Sequence, residues 1–350
     1  MKNFMVSRYA SLESYVPGEQ PRDMEYVKLN TNESPFPPSP AVIKAINSEE
    51  LEKLKLYSDP EGKDLRDAIA ANFGYKRENI LLGNGSDEIL AFAFFAFCAG
   101  EKVFFPDITY GFYPVYAELV GADAQIMPLK DDFSIDINDY MSNSGMVVIA
   151  NPNAPTGMAL PLSDIEKIIA ANPDNIVLVD EAYVDFGGES AVGLVNKYEN
   201  LIVARTYSKS RSLAGARLGF GIASEGVIAD MNRIKYSFNP YNINRLTLLA
   251  GKASIEDNEY FEKNIRSIIE TRAYTVAELE KRGFSVLPSA ANFIFAKKDG
   301  KSGEELYKEL KKRGVLVRHF TKEKIKDHLR ITIGTKEQMD VLLSKLDEII

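Results

Sequence analysis

The sequence reads as an α/β protein, with a mainly parallel sheet sandwiched by helices in a large domain and a small α+β domain after it. Three observations carry this reading. Short apolar runs, among them Met146-Val-Val-Ile-Ala150, Ile176-Val-Leu-Val179 and Leu201-Ile-Val-Ala204, have the composition of strands buried on both faces, and they alternate with helical stretches. From about residue 239 the pattern changes to a long helical periodicity followed by short strands. At 350 residues the chain is also too long for one simple core. The expected division is an N-terminal arm over 1–29, a large domain over 30–245 and a small domain over 246–350.

Residues 1–29 are polar and irregular, and four prolines between 35 and 40 then force an extended loop. A helical stretch is expected over 41–54, a turn at Leu56-Tyr57-Ser-Asp-Pro-Glu-Gly62, and a helix over 63–73. Ile80-Leu-Leu-Gly-Asn-Gly-Ser-Asp-Glu88 reads as strand, glycine turn and helix. Gly83 and Gly85 permit unusual backbone geometry there, and Ser86 or Asp87 is expected to cap the helix. Its first N–H groups would form an anion cup. Without a third glycine or a Walker lysine it is neither a dinucleotide fingerprint nor a P-loop. Strands follow at 102–105 and 146–150, a helix at 163–171, and strands at 176–179, 201–204 and 218–222. The second part reads as a helix ending at Gly283, strands at 284–287 and 292–296, a helix at 303–313, strands at 314–318 and 329–333, and a last helix opened by Thr335 with Gln338 three later, a capping box.

Composition narrows the function. A net charge of −8 argues against a nucleic-acid surface, which needs a basic footprint, but leaves room for a local arginine pocket. One cysteine, Cys98, lies in an apolar helix-like run and reads as a buried, inert thiol. Two histidines without cysteine partners give no metal pattern. Met1-Lys-Asn-Phe-Met5 lacks the apolar core of a signal peptide, and no run approaches a membrane span; the cytoplasm is the expected compartment.

The chemistry gathers at strand ends, where open α/β sheets bind ligands. Lys209 follows the 201–204 run, flanked by Ser208 and Ser210 with Arg211 and Arg217 downstream, and is a candidate nucleophilic amine. Asp180-Glu-Ala-Tyr183 ends the 176–179 run. A strand-end carboxylate, a tyrosine three residues on and a later lysine are the parts needed to hold pyridoxal phosphate, through covalent attachment to the amine and an acidic partner for the pyridinium nitrogen.

These residues resemble the fold-type I, aspartate-aminotransferase-like enzymes, and most closely the histidinol-phosphate aminotransferases. The likeness runs from Tyr15-Val-Pro-Gly18 through Asp180-Glu-Ala-Tyr183, Ser208-Lys209 and Gly215-x-Arg217-x-Gly219 to Leu329-Arg-Ile-Thr-Ile-Gly334. It implies that pyridoxal 5′-phosphate is attached to Lys209, with Asp180 at the ring nitrogen, Tyr183 at the phenolic oxygen and Tyr110 stacked on the ring. It implies a phosphate anchor of Gly85, Ser86, Asp87, Ser208, Arg217 and Tyr57 of the partner subunit, so that the working form is a homodimer. Tyr15, Arg318 and Arg330 would meet substrate, the two arginines because a guanidinium fork takes carboxylate or phosphate bidentately. The chain departs from the family at Ala154, where relatives place asparagine directly before Pro-Thr-Gly. Either the loop shifts so that Asn153 serves, or Tyr183 holds the phenolic oxygen with less help; the shifted loop is the expectation. The implied reaction joins histidinol phosphate and 2-oxoglutarate in histidine biosynthesis, with small-molecule amino donors and acceptors as the only partners besides the second subunit. An aromatic aminotransferase or a phosphothreonine decarboxylase on the same scaffold is the nearest alternative, and a cofactor-binding regulatory module the alternative from another class.

Overall fold

The computed structural model describes residues 4–10 and 12–350; the first residues of the stretch read for a signal peptide lie outside them. A two-residue strand, β1 (Val27–Lys28), comes first. The expected helix over 41–54 is instead two short ones, α1 (Pro40–Ala45) and α2 (Ser48–Glu52), because Asn47 interrupts: its side chain accepts from Glu50 N–H and restarts the helix. Next come α3 (Lys63–Phe73), β2 (Ile80–Gly83), α4 (Ser86–Phe97), β3 (Lys102–Pro106), α5 (Phe112–Val120) and β4 (Asp123–Met127). They are followed by β5 (Met146–Ala150), α6 (Leu162–Ala171), β6 (Val177–Asp180), β7 (Leu201–Thr206), β8 (Gly219–Ala223), α7 (Glu225–Phe238) and α8 (Arg245–Glu256).

Seven of these strands form one sheet in the order β2-β8-β7-β6-β5-β3-β4, parallel except for β8. Every residue of β5, β6 and β7 is buried, as strands covered on both faces require. Alternation splits their side chains between two cores. Val147, Ile149, Val177, Val179, Leu201 and Val203 face one layer of helices, and Met146, Val148, Leu178, Ile202 and Ala204 face the other. Cys98 sits in the second core with its thiol pushed up to about 12 by burial.

The remaining elements build a second sheet. They are α9 (Asn258–Lys281), β9 (Phe284–Val286), β10 (Phe293–Lys298), α10 (Gly303–Lys312), β11 (Val315–Leu316), β12 (Arg318–His319), β13 (His328–Thr332) and α11 (Lys336–Asp347). Strands β12-β13-β10-β9 are antiparallel, and the capping box of Thr335 and Gln338 opens α11 as the sequence indicates. The expected strand at 314–318 divides because β11 pairs with β1 while β12 turns to pair with β13. The N-terminal segment is thereby stitched to the second unit, and Leu29 is buried in that unit's core.

Phe186, in the turn after β6, is fully buried against the second unit's core, and its carbonyl accepts from Arg272 of α9 at 2.9 Å. One ring therefore pins the large sheet's edge to the smaller layer. Phe186→Ala is expected to cost about 3–5 kcal/mol in urea denaturation, whereas Val341→Ala on the exposed side of α11 costs under about 0.5 kcal/mol.

Candidate active site

Register brings the strand ends to one edge. Ala150 pairs with Asp180 and Asp180 with Ala204; Gly219 pairs with both Thr206 and Gly83. The loops after β2, β5 and β6 and the loop joining β7 to β8 thus open on the same side, where a cavity of about 380 Å³ lies. Asp180, Tyr183, Lys209, Ser208, Arg217 and Ser86 all line it, with Asp87 and Tyr110 beside them. It adjoins an outer compartment of about 740 Å³ lined by Tyr15, Arg318, Phe320 and Arg330. Tyr110, Ala154, Tyr183 and Lys209 border both.

At 4% exposure Asp180 is the buried acid of the inner compartment. Its carboxylate accepts from the Tyr113 hydroxyl at 2.8 Å and from Ala182 N–H at 3.1 Å. Burial pushes its pKa up to about 6, and those two donors oppose the rise. Lys209 Nζ donates to the Thr31 carbonyl at 3.3 Å and lies 5.8 Å from the centre of the Tyr183 ring. The Tyr183 hydroxyl accepts from Asn32 Nδ2 at 3.0 Å. Asn32 is itself locked, its backbone N–H and side-chain oxygen both bonded to Thr332 and its carbonyl to Asn292.

The phosphate-sized end of the compartment is the N-terminus of α4. Its N-cap is Gly85, so neither Ser86 nor Asp87 caps the helix as expected, and no side chain covers the cap. Gly85 takes φ +76°, and a Cβ there would lie 2.6 Å from Arg217 Nη2. A Cβ on Gly219 would stand 2.3 Å from Ser86 N, so the backbones touch only because that residue has none. Asp87 instead orders the rim, accepting from Arg217 at 2.8 Å and from the Tyr110 hydroxyl at 2.9 Å.

Two expected residues lie differently. Asn153 does not border either compartment: its amide donates to Ile108 O at 2.9 Å and to Thr156 Oγ1 at 3.2 Å, and its oxygen accepts from Thr109 at 2.8 Å. The loop has not shifted to present it, because its amide is turned to the loop after β3 and to Thr156, and Ala154 faces the cavity instead. Tyr57 is 80% exposed, stacked on Tyr241 at 4.5 Å and lining neither compartment of its own chain. In the outer compartment, Tyr15 stacks on Phe112 at 4.3 Å. Arg318 holds the carbonyls of Val16 and Pro17, both at 3.2 Å. Arg330 lies 5.4 Å from the Phe293 ring centre and 5.7 Å from that of Phe320; it donates to Asn30 O at 2.9 Å, while its buried Nε has no partner among the described residues. Sequence reasoning missed Asn32 and Tyr113. They lie in Asn30-Thr-Asn-Glu-Ser34 and Tyr110-Gly-Phe-Tyr113, but their partners are over sixty positions away.

The raised Asp180 fixes a pH dependence for the cofactor-free protein. Below its ordinary 3.8 the carboxyl is neutral both folded and unfolded, and no cost arises. Between 3.8 and about 6 the unfolded chain ionises while the folded one keeps its proton, so stability falls as pH rises; above about 6 the full cost, about 3 kcal/mol, is present. Asp180→Asn keeps an acceptor for Tyr113 without the charge. The cofactor-free variant is expected to be about 2–3 kcal/mol more stable than the parent at pH 8 in urea titrations, with the gap closing by pH 4. Equal stability at both pH values would contradict the assignment.

Residues 24–346 match the model of the family described as aminotransferase class I and II. The histidinol-phosphate aminotransferase of Brachyspira hyodysenteriae is 51% identical over 352 aligned positions, covering 100% of this chain and 99% of that protein. The crystal structure of histidinol-phosphate aminotransferase from Sinorhizobium meliloti, in complex with pyridoxal-5′-phosphate, superposes with a TM-score of 0.85 at 26% identity, covering 93% of this chain and 91% of that one. A Thermus thermophilus aspartate aminotransferase mutant, 18% identical and covering 100% of both chains at a TM-score of 0.83, shares the fold. The chain belongs to the class I and II aminotransferase family and has the aspartate-aminotransferase-like type I fold.

Proposed function

We propose that this protein is a pyridoxal-phosphate-dependent aminotransferase that moves an amino group between histidinol phosphate and 2-oxoglutarate. The observation that carries the reading is that Asp180 and Lys209 open on one compartment, which adjoins a second holding Arg318 and Arg330. The donor set fits the cofactor: a helix N-terminus without a side-chain cap among the described residues, with Ser208 and Arg217 for its phosphate, and the Tyr110 ring and a buried carboxylate in the same compartment. Full-length similarity to histidinol-phosphate aminotransferases supports the substrate.

When bound, pyridoxal phosphate supplies an electron sink for the substrate's α-carbon. Lys209 would hold it covalently, and its amine, when free, would take a proton from the substrate's α-carbon as base and return it as acid. Asp180, whose burial makes an unpaired charge expensive, would hold a proton at the ring nitrogen and be stabilised by that positive charge in return. With Ala154 in place of the family's asparagine and Asn153 turned away, we assign the phenolic oxygen to the Tyr183 hydroxyl, oriented by Asn32. Arg330 and Arg318 take the phosphate of one substrate and a carboxylate of the other, and Tyr15 closes the compartment over them.

Two further assignments complete the proposal. The chain is a cytoplasmic homodimer in which Tyr57 of the partner subunit joins the phosphate anchor. Exposed Leu51, Leu54, Leu56 and Tyr57 beside Phe238 and Tyr241 support an interface there. The arm over 1–29 and a large cofactor domain are followed by a small domain. Because α8 contributes Ala250 and Ile255 to the large sheet's core, we draw that boundary at Asp257 rather than at 245.

Borohydride treatment of the yellow holoenzyme is expected to fix the label on Lys209, and Lys209→Ala to abolish it and lower turnover by at least about 10³-fold. A label on any other lysine sinks the assignment. Incubation with histidinol phosphate, phosphothreonine and phenylalanine, each with 2-oxoglutarate, tests the substrate: glutamate should form fastest with the first, whereas carbon dioxide from the second would mark a decarboxylase. Shared sites are tested by mixing Lys209→Ala and Tyr57→Ala subunits. Random pairing leaves about a quarter of sites intact, so activity should exceed that of either parent variant; no gain after mixing would remove the Tyr57 assignment.

A further inference from the structure

Behind the inner compartment runs a buried charged chain to which the roles above give no part. Glu181 follows Asp180 but borders neither compartment; its carboxylate accepts from Ser190 Oγ at 2.7 Å, Ala191 N–H at 2.5 Å and Arg205 Nη1 at 2.9 Å. Arg205, only 7% exposed on β7, also donates through Nη2 to Asp185, in the turn after Tyr183. The other oxygen of Asp185 accepts from the buried Ser210 hydroxyl at 2.5 Å, and Ser210 is the residue after Lys209. The chain therefore touches the neighbours of all three groups that act in the cavity: Glu181 beside Asp180, Asp185 near Tyr183, and Ser210 beside Lys209.

We propose that Ser210, Asp185 and Arg205 form a positioning relay that fixes the backbone of Lys209 relative to Asp180 and Tyr183. Stability alone does not account for these residues. The Coulomb gain of a buried ion cluster is largely cancelled by desolvation, and a well-packed apolar set would serve the fold as well. What the cluster supplies is direction. Among the described residues the Lys209 amine has one long bond, 3.3 Å to Thr31 O, so its position is set mainly by its own backbone. That backbone is held before the lysine by the bond from Ser208 N–H to Thr206 Oγ1 at 3.1 Å, and after it by Ser210 on Asp185. Asp185 cannot drift, because Arg205 ties it to Glu181 at the end of β6. An amine that must reach two carbon atoms in turn is sensitive to such placement, since a displacement near 1 Å costs about 10²-fold in rate.

The inference rests on Lys209 being the reacting amine, and its test separates the two. In Ser210→Ala holoenzyme, borohydride should still label Lys209 and KM for histidinol phosphate should stay within about twofold, while the single-turnover rate falls about tenfold or more. The pH midpoint of the visible absorption band should move, and Ser210→Thr, which keeps the hydroxyl, should restore both rate and midpoint. Adding Asp185→Asn to Ser210→Ala should cost much less than it does in the parent, because the two act as one unit. A parental rate and midpoint in Ser210→Ala, whatever its urea stability, overturns the relay and leaves a structural cluster. Should Ser210→Ala not fold, Ser210→Cys takes its place with the same comparisons and the same overturning result. A label on another lysine in the parent itself overturns the reading of Lys209, and the relay with it.

Discussion

Strand register is the constraint on which the site depends. Asp180 ends β6 opposite Ala204, and Thr206 ends β7 opposite Gly219, where β8 begins. A slip of one residue along β6 would send the Asp180 side chain into the core and bring Glu181 toward the cavity. The alternating apolar faces forbid it, since Val177 and Val179 fill one core while Leu178 fills the other. The acid is therefore held by the same packing that makes the sheet, while Lys209, three residues past the end of β7, takes its direction from the bonds that fix its loop at Ser208 and Ser210.

That packing carries an energetic penalty at the point of chemistry. Placing Asp180 where its carboxyl titrates near pH 6 opposes folding at neutral pH, and among the described residues only Tyr113 and Ala182 donate to it. A cation on the cavity side would remove the penalty. Function and stability thus pull in opposite directions at this residue, which is common where a site is built for a ligand of opposite charge. Glu181, one position on, has the opposite arrangement: its charge is satisfied within the protein by Arg205, Ser190 and Ala191.

Much of this was legible in the sequence because it depended on local pattern. The buried apolar runs gave away the central strands, and the polar residues that follow such a run had to lead to the sheet edge, which located Asp180 directly after one run and Lys209 five residues past another. Gly85 and Ser86 were marked by a glycine turn before a helix. Features set by side-chain direction in loops were not legible. Asn153 stood one position from a family asparagine, yet its amide turns to Ile108 and Thr156. Ser86 and Asp87 had the right composition for a cap, but the cap position fell on Gly85. Asn32 meets Tyr183 across 151 positions, and Ser210 meets Asp185 across 25. No periodicity encodes such meetings, because they follow from how separate turns come to rest against one another. The halving of the expected helix at Asn47 is different: the start signal, Asn47 followed by Ser48, Glu49 and Glu50, was in the sequence, inside a stretch read as one helix.

The outer compartment joins the arm to recognition through the same groups. Arg318 holds the carbonyls of Val16 and Pro17, and Arg330 that of Asn30, so both guanidinium groups fasten the N-terminal segment over the cavity. These acceptors are neutral. A carboxylate or phosphate makes bonds roughly twice as strong with the same donors, so an anion reaching this pocket competes on favourable terms with the arm's own backbone. Two features keep the segment in place without those bonds: β1 pairs with β11, and Tyr15 stacks on Phe112. Arg330 meanwhile sits between the rings of Phe293 and Phe320 with Nε unpartnered among the described residues, so its charge is oriented by aromatic faces rather than neutralised by an acid. On the proposed function, a cation left in that state, in a compartment that adjoins Lys209, would favour anionic amines over neutral ones before any contact with the reacting carbon is made.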